Sequence, residues 1–512
     1  MDGSGLTATG QRGTQRQLRD FHEAIRATHR KSKVVSVSTS ARIRHPQTML
    51  AQTYHCALAL IFSLSVIGCG YVRPTLNAPL TRHDPSYGYR LPNLTEPKTN
   101  TDELFIVAAF SGGGTRASAF AFGALQEMAR QQITWQGIEK RLLDELDVIS
   151  AVSGGTYTAG YYALYGDQIF HDFEARFLRK NWENELRSRI FWSPSNWIRL
   201  WSPYFGRADL LAEVLDEALF EGNTYDTLVR RKTRPLVVFN ASDMGTHSQF
   251  AFTQTQFDWI CSDLSQLPIA RAAAASSALP LVLSAMSFKN YAGQCGFQPT
   301  RFEINEQTLE TLERSRLAKE LSSYLDQDKR PYIHLLDGSL ADNIALRTYL
   351  EGIVLLGGLE KAFASGGVHD VKKLVFLVVN AETSPDPSGL SSRDSIPGIV
   401  EEMRALIDIP VNRYSHDSYL LMNLAVERWR EDLRLHPPDG SGALAPDVEI
   451  YLINVSLDAL ADDEERGHFM RIPTTLYLTD QQIEQLPLAS ARLMRESPEF
   501  QRLIRDLKKP AQ

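Results

Sequence analysis

Leu146-Asp147-Val148-Ile149-Ser150-Ala151-Val152-Ser153-Gly154-Gly155 is the stretch this chain is organised around. An apolar run of strand length meets a serine, and small residues surround it. Residues 156–165 continue with helix-compatible sequence. A strand, a serine at a sharp turn and a helix make the layout of a nucleophile elbow. Such a turn needs small residues two before and two after the serine, because strand end and helix start nearly touch. Ala151 and Gly155 hold those places, so the G-x-S-x-G spacing is kept with alanine for its first glycine. Serines in small-residue turns are also common in structural loops, and this stretch alone leaves both readings open.

Upstream, Leu104-Phe105-Ile106-Val107-Ala108-Ala109-Phe110 reads as a central strand buried on both faces. It runs into Ser111-Gly112-Gly113-Gly114-Thr115-Arg116-Ala117, and a small-residue helix over 119–130 follows. Glycines between strand and helix present free backbone N–H groups at a helix N-terminus, which suits an anion. Gly112-x-Gly114-x-x-Ala117 formally fits a dinucleotide fingerprint. That site also needs an acid roughly 20 positions on, at the end of the second strand. The next convincing strand ends at Ser153 instead, which favours the other use of such a loop, an oxyanion hole.

Downstream, 234–240 and 249–253 read as strands, and 269–280 is Ala- and Ser-rich and helical up to Pro280. Tyr332-Ile333-His334-Leu335-Leu336 is a buried-type strand ending in Asp337-Gly338-Ser339. An aspartate at a strand end is placed to meet a nucleophile at the same sheet edge, although a turn aspartate is the commoner case.

These pieces, in this order, resemble the patatin-like phospholipase family. The resemblance rests on the Gly112-Gly113-Gly114-Thr115-Arg116 loop, the Ser153 elbow, Ala275-Ser276-Ser277-Ala278-Leu279-Pro280 and Asp337-Gly338, and covers roughly residues 104–346. Through its C-terminal region the chain also resembles a lipoprotein subgroup. Two departures are Ala151 where many members have glycine, and Asp-Gly-Ser in place of Asp-Gly-Gly. The resemblance implies a three-layer α/β hydrolase with a mostly parallel central sheet, and a Ser–Asp dyad without histidine. Ser153 is then the nucleophile and Asp337 the general base. Backbone N–H groups of Gly112, Gly113, Gly114 and Gly154 form the oxyanion hole. Arg116 holds the glycine loop or a lipid phosphate, and Asn343 either orients the aspartate loop or caps the following helix. The competing arrangement is a Ser–Asp–His triad, for which His416 or His468 follows Asp337 in the chain.

Between the elbow and the middle strands, Trp182, Trp192, Trp197, Trp201, Tyr204 and Phe205 alternate with Arg187, Arg189 and Arg199. Amphipathic side chains of this kind suit a bilayer interface, and they equally suit the core of a helical cap. Cys261 and Cys295 flank the Ala- and Ser-rich helix. In an oxidising periplasm they pair, the preferred reading; otherwise they are packed thiols.

The first 48 residues are rich in Arg, Ser and Thr. The apolar run over 57–67 is about half of the ~20 residues a spanning helix needs, and it leads into Val66-Ile67-Gly68-Cys69. Basic residues, a short apolar run and small residues make a secretory signal. The last four resemble the lipobox of bacterial lipoproteins, which implies a lipid anchor on Cys69 and removal of 1–68. Gly70 follows, not aspartate, so the resemblance points to the outer membrane of a bacterial envelope, facing the periplasm. The basic arm is long for such a signal, and a start at Met49 would leave no Lys or Arg before the run. The rival reading is a buried helix behind a transit-like or disordered arm.

The expected division is an arm and signal over 1–69, a Pro- and Asn-rich tether over 70–103, a catalytic domain over 104–385 and a C-terminal extension over 386–512. The extension carries a mobile loop at 386–393, a strand at 448–455 and a helical tail opened by the Thr479/Gln482 capping box. The 512 residues, 43% of them hydrophobic and 22% charged, are ordinary for a globular protein with a sizeable core. A net charge of -7 gives no electrostatic reason for a nucleic-acid partner. Scattered His and Cys offer no metal site, and no cofactor is expected. The expected function is cleavage of acyl esters of membrane phospholipids or related lipids. The alternatives are a non-catalytic lipid-binding or scaffolding lipoprotein and an enzyme acting on soluble esters or transferring acyl groups.

Overall fold

The chain is seen here in a computed structural model that describes residues 74, 76–95, 100–299, 309–383 and 394–508. Cys69 with its lipobox, and the loop 386–393, lie outside these residues. The strands are β1 (Ala78–Pro79), β2 (Leu104–Phe110), β3 (Gln132–Trp135), β4 (Ile138–Arg141), β5 (Leu146–Val152) and β6 (Leu236–Asp243). They continue with β7 (Ser248–Ala251), β8 (Ser262–Asp263), β9 (Met286–Lys289), β10 (Tyr332–Asp337), β11 (Val371–Asn380) and β12 (Leu444–Ser456).

One sheet dominates, in the order β12-β11-β2-β5-β6-β10-β9, with β7 paired to β6. From β12 to β6 every neighbouring pair is parallel. In β2, β5 and β6 each residue is buried, because helices cover both faces; β2 is an unbroken apolar run, whereas the buried Asp147 and Ser150 of β5 and Asn240, Ser242 and Asp243 of β6 are each hydrogen-bonded. The chain is thus a three-layer α/β structure with a mostly parallel sheet.

β10 departs from the parallel rule, and the departure places Asp337. β6 overruns β5: Asn240 pairs with Val152, the last residue of β5, and Ala241, Ser242 and Asp243 continue beyond it. β10 runs antiparallel along that overhang, with Leu335 opposite Asp243 and Asp337 opposite Ala241. Its C-terminal end therefore descends onto the carboxyl edge of β5. Gly338 sits so close to β6 that a Cβ there would lie 2.1 Å from the Asn240 carbonyl oxygen.

The C-terminal region belongs to the same core. β12 lies beside β11, and helix Asp480–Glu496 crosses helix Gly114–Arg130 where Gly123 meets the Pro487 backbone. The capping box at Thr479 and Gln482 opens the former helix.

Over its described part, the tether expected at 70–103 is instead a strap bound to the domain. The Asn77 side chain donates to Ser262 Oγ (2.8 Å) and the Lys289 carbonyl (2.9 Å), and accepts from Lys289 N–H (2.6 Å). Leu80, Tyr89 and Leu94 are buried, and the Tyr89 hydroxyl accepts from Val237 N–H at 2.8 Å. These few apolar residues, spaced too irregularly for helix or strand, each find a slot in the domain surface. Cys261 and Cys295 form a disulfide. The strap runs over it, with Leu80 N–H donating to the Cys261 carbonyl and His83 N–H to the Cys295 carbonyl.

Candidate active site

Ser153 stands between β5 and helix Gly154–Tyr165 with φ 49° and ψ -122°. This conformation is strained for a residue with a Cβ. Its surroundings hold it there: Ser153 N–H donates to Ser276 Oγ at 2.9 Å, and Ser276 Oγ donates to the Asn240 carbonyl at 2.6 Å. Gly155 is small for a reason other than closeness to its own strand. A Cβ on it would meet the carbonyl oxygens of Ser111 (2.7 Å) and Phe110 (2.8 Å), at the end of the adjacent strand β2.

Ser153 Oγ donates to Asp337 Oδ2 at 3.0 Å. The other carboxylate oxygen accepts from Ser339 N–H at 2.9 Å. The backbone of the aspartate turn is tied to the Ala- and Ser-rich segment, through Asp337 N–H to the Ala278 carbonyl and Gly338 N–H to the Ser276 carbonyl. Burial pushes the Asp337 carboxyl up to about 6, against the opposing pull of the hydrogen bonds from Ser339 and Ser153. It is therefore a carboxylate at neutral pH that binds a proton more readily than an exposed one.

Helices Gly114–Arg130 and Gly154–Tyr165 start side by side. A Cβ on Gly154 would lie 1.9 Å from the Gly114 carbonyl oxygen, and Ser118 Oγ donates to the Gly154 carbonyl at 2.6 Å. Among the described residues, no protein group takes the N–H of Gly113, Gly114 or Gly154, as expected of donors in a first helical turn. Gly112 is different, and its place in the oxyanion hole is corrected. Its N–H donates to the Asn343 carbonyl at 2.9 Å, and a Cβ on it would collide with Asn343 Oδ1. Asn343 follows the short helix Ser339–Asp342 and buttresses the glycine loop; it caps no helix N-terminus.

Arg116 is buried and anchors that loop to the C-terminal region. Its Nε donates to the Ala381 carbonyl (2.8 Å), Nη1 to the Ile472 carbonyl (2.6 Å) and Nη2 to Thr474 Oγ1 (3.3 Å). With its donors directed into protein, it is not a phosphate ligand. Neither histidine of the rival triad joins the pair: His416 is exposed on helix Ile399–Leu435, and His468 lies in helix Asp463–Met470.

Three contributors escaped the sequence reading. Ser276 fixes the Ser153 backbone, Asn240 supports Ser276 and also donates to Ser150 Oγ (2.7 Å), and the Thr475 carbonyl accepts from Thr115 N–H (2.9 Å) beside the glycine loop. Ser276 was visible as part of the Ala- and Ser-rich segment; nothing marked the other two. The aromatic segment divides. Trp182 stacks on Phe177 and Phe205 is buried, whereas Trp192, Trp197, Trp201 and Tyr204 are exposed.

Fold and site together define a class, the three-layer α/β hydrolases. Residues 108–348 match the family described as patatin-like phospholipase, and the chain carries a domain of that family. No curated protein matches the sequence. Among solved structures, the chain is similar to human GIVD cytosolic phospholipase A2, at 13% identity and a TM-score of 0.40, over 79% of this chain and 62% of that one. The same human protein in complex with methyl gamma-linolenyl fluorophosphonate matches at 11% identity and a TM-score of 0.38, over 79% and 59%. VipD from Legionella pneumophila matches at 12% identity and a TM-score of 0.24, over 82% and 71%. The chain thus spans about three fifths of the length of the human protein.

Proposed function

We propose that the chain is a serine lipid acyl hydrolase working through Ser153 and Asp337 alone, on acyl esters of membrane phospholipids or related lipids. The observation that carries this reading is the 3.0 Å hydrogen bond from Ser153 Oγ to Asp337 Oδ2. The second oxygen of that carboxylate is held by Ser339 N–H, so the base is oriented without a histidine.

In the first half-reaction Oγ attacks the ester carbonyl carbon while its proton passes to Asp337 Oδ2. Negative charge develops on the carbonyl oxygen, and the N–H groups of Gly113, Gly114 and Gly154 receive it at the starts of two helices. The tetrahedral centre collapses to acyl-Ser153, and the leaving alcohol departs with the proton from Asp337. In the second half-reaction a water gives its proton to Asp337 and attacks the acyl carbon, and Oγ regains the proton as fatty acid leaves. Because Asp337 titrates near 6, it gives the proton back more readily than it takes one, and attack depends on the donors that stabilise the oxyanion.

Two expected results test this. Purified chain releases fatty acid from phosphatidylcholine vesicles, and His416→Ala and His468→Ala retain that activity. No release from any acyl lipid would favour a lipid-binding lipoprotein, and a loss of orders of magnitude in either variant would restore the triad. Gly154→Ala, which drives a methyl into the Gly114 backbone, pushes the two helix starts apart and lowers kcat by about 10²–10³-fold. Unchanged kcat would place the oxyanion donors elsewhere. The resemblance of Val66-Ile67-Gly68-Cys69 to a lipobox extends the proposal to a Cys69-anchored lipoprotein of the bacterial envelope; intact protein mass with acyl chains on Cys69 is the expected observation.

A further inference from the structure

Seven tryptophans occur in the chain. Trp135, Trp182, Trp259 and Trp429 pack against the core, whereas Trp192 (82% exposed), Trp197 (52%) and Trp201 (74%) stand in water within ten residues of one another. Phe191, Ile198 and Tyr204 are exposed in the same stretch. It is built from helices Trp182–Phe191 and Pro194–Leu200. The cluster is ordered: Trp197 Nε1 donates to the Ile190 carbonyl at 3.0 Å, and Arg199 lies 4.0 Å from the centre of the buried Phe205 ring.

Both ends of this stretch are tied to chain segments that also hold the surroundings of Ser153. At one end Trp182 N–H donates to the Leu476 carbonyl, next to Thr475, whose carbonyl holds the turn after the glycine loop. At the other, Ala208 N–H donates to Ser284 Oγ, against which Gly206 also packs. Ser284 closes the loop that leaves Ala278, the residue holding Asp337 N–H. That loop carries two further exposed apolar residues, Leu281 and Val282.

We propose that this aromatic ridge, with Leu281 and Val282, is the surface by which the protein lies on a lipid bilayer, so that the mouth of the Ser153 site opens at the membrane. The proposal deepens the lipid hydrolase reading and rests on it for the source of substrate. Indole and phenol rings seat at the boundary between headgroups and acyl chains, apolar body inward and polar edge outward. Trp192 and Trp201 have indole N–H groups that no described residue takes. The neighbouring arginines are occupied: Arg187 pairs with Glu183, Arg189 with Glu185 and Glu217, and Arg199 with Glu213. Attachment is therefore by insertion of rings rather than by attraction to anionic headgroups. It works on zwitterionic phosphatidylcholine, and it survives a rise from about 0.1 M to about 1 M salt, which shortens the Debye length from ~10 Å to ~3 Å.

The test uses the full chain carrying Ser153→Ala, so that vesicles stay intact whatever the nucleophile does. Phosphatidylcholine vesicles with brominated acyl chains are expected to quench its indole emission equally at low and high salt. Quenching is lost when Trp192→Ser, Trp197→Ser and Trp201→Ser are added. On the Ser153 background the same triple variant lowers hydrolysis of vesicles by about tenfold or more, and leaves hydrolysis of a monomeric short-chain ester within about twofold. A Leu281→Ser, Val282→Ser pair, which keeps the ridge, gives a smaller change in the same direction. Absence of quenching in the parent, quenching retained in the triple variant, or an equal fall on both substrates overturns the proposal. Quenching that appears only with anionic lipid and vanishes at high salt overturns the insertion mode. Hydrolysis of vesicles by Ser153→Ala would instead overturn the nucleophile assignment and leave docking to be judged by the quenching.

Discussion

Ser153→Ala is expected to lower hydrolysis of acyl esters by about 10⁴–10⁶-fold, the range seen when a nucleophile acting as a unit with its base is removed. The variant keeps the fold, because the groups that hold the turn are backbone and neighbours: Ser153 N–H to Ser276 Oγ, and Thr156 N–H to the Ser153 carbonyl. Its Asp337 loses one of the hydrogen bonds that oppose desolvation, so the carboxyl keeps its proton to a higher pH than in the parent. A companion variant, Ser153→Gly, should be equally inactive yet more stable by about 1–3 kcal/mol, since glycine relieves a side chain held at φ 49°. Equilibrium denaturation compares the two. Residual activity within about tenfold of the parent in either variant would place the nucleophile elsewhere.

Asp337→Asn is the second large effect, a fall of about 10³-fold or more, because the amide accepts no proton while its shape still fits. In the parent, kcat/KM should rise with pH through about 6, the value to which burial lifts Asp337, and level off above it. The residual activity of Asp337→Asn should lack that step. The same shift has a stability consequence of definite sign. The folded carboxyl binds a proton more tightly than the unfolded one, whose value is 3.8. Folding is therefore weakened as pH rises from about 4 to about 6, and the weakening persists above that. It amounts to roughly 3 kcal/mol at most for a buried carboxyl raised from 3.8 to about 6. Asp337→Asn should thus be more stable than the parent at pH 8 and gain nothing near pH 3, as read from thermal unfolding at both.

The ionised Asp337 carboxyl is costly in the same sense as the Ser153 backbone. Both members of the pair are held by the surrounding structure in states that cost stability, as expected of groups kept ready for chemistry.

What the sequence revealed and what it hid follow from the range of the interactions. β2 was readable because a strand covered on both faces must be a continuous apolar run, and Leu104–Phe110 is such a run. Ser153 and Asp337 were readable because each sits at a change from apolar strand to small residues. The direction of β10 was not, since it depends on β6 extending past β5, and Asn240, Ala241 and Ser242 carry no mark of that overhang. The three loop glycines are alike by type. The Asn343 carbonyl, brought in by the chain after Asp337, and the positive φ of Gly113 and Gly114 separate Gly112 from the other two. Arg116 showed its charge but not its partners, which are carbonyls contributed by a region far along the chain. The strap at 77–94 resembled a tether because isolated residues dock it without any periodic pattern.

Covalent capture tests the central assignment most directly. An alkyl fluorophosphonate phosphonylates a serine whose hydroxyl is activated beside an oxyanion hole, and digestion with mass spectrometry locates the adduct. One adduct per chain is expected, on the peptide carrying Ser153, absent from Ser153→Ala and slowed by Asp337→Asn. An adduct on another serine, or vesicle hydrolysis that continues with Ser153 fully modified, would contradict it.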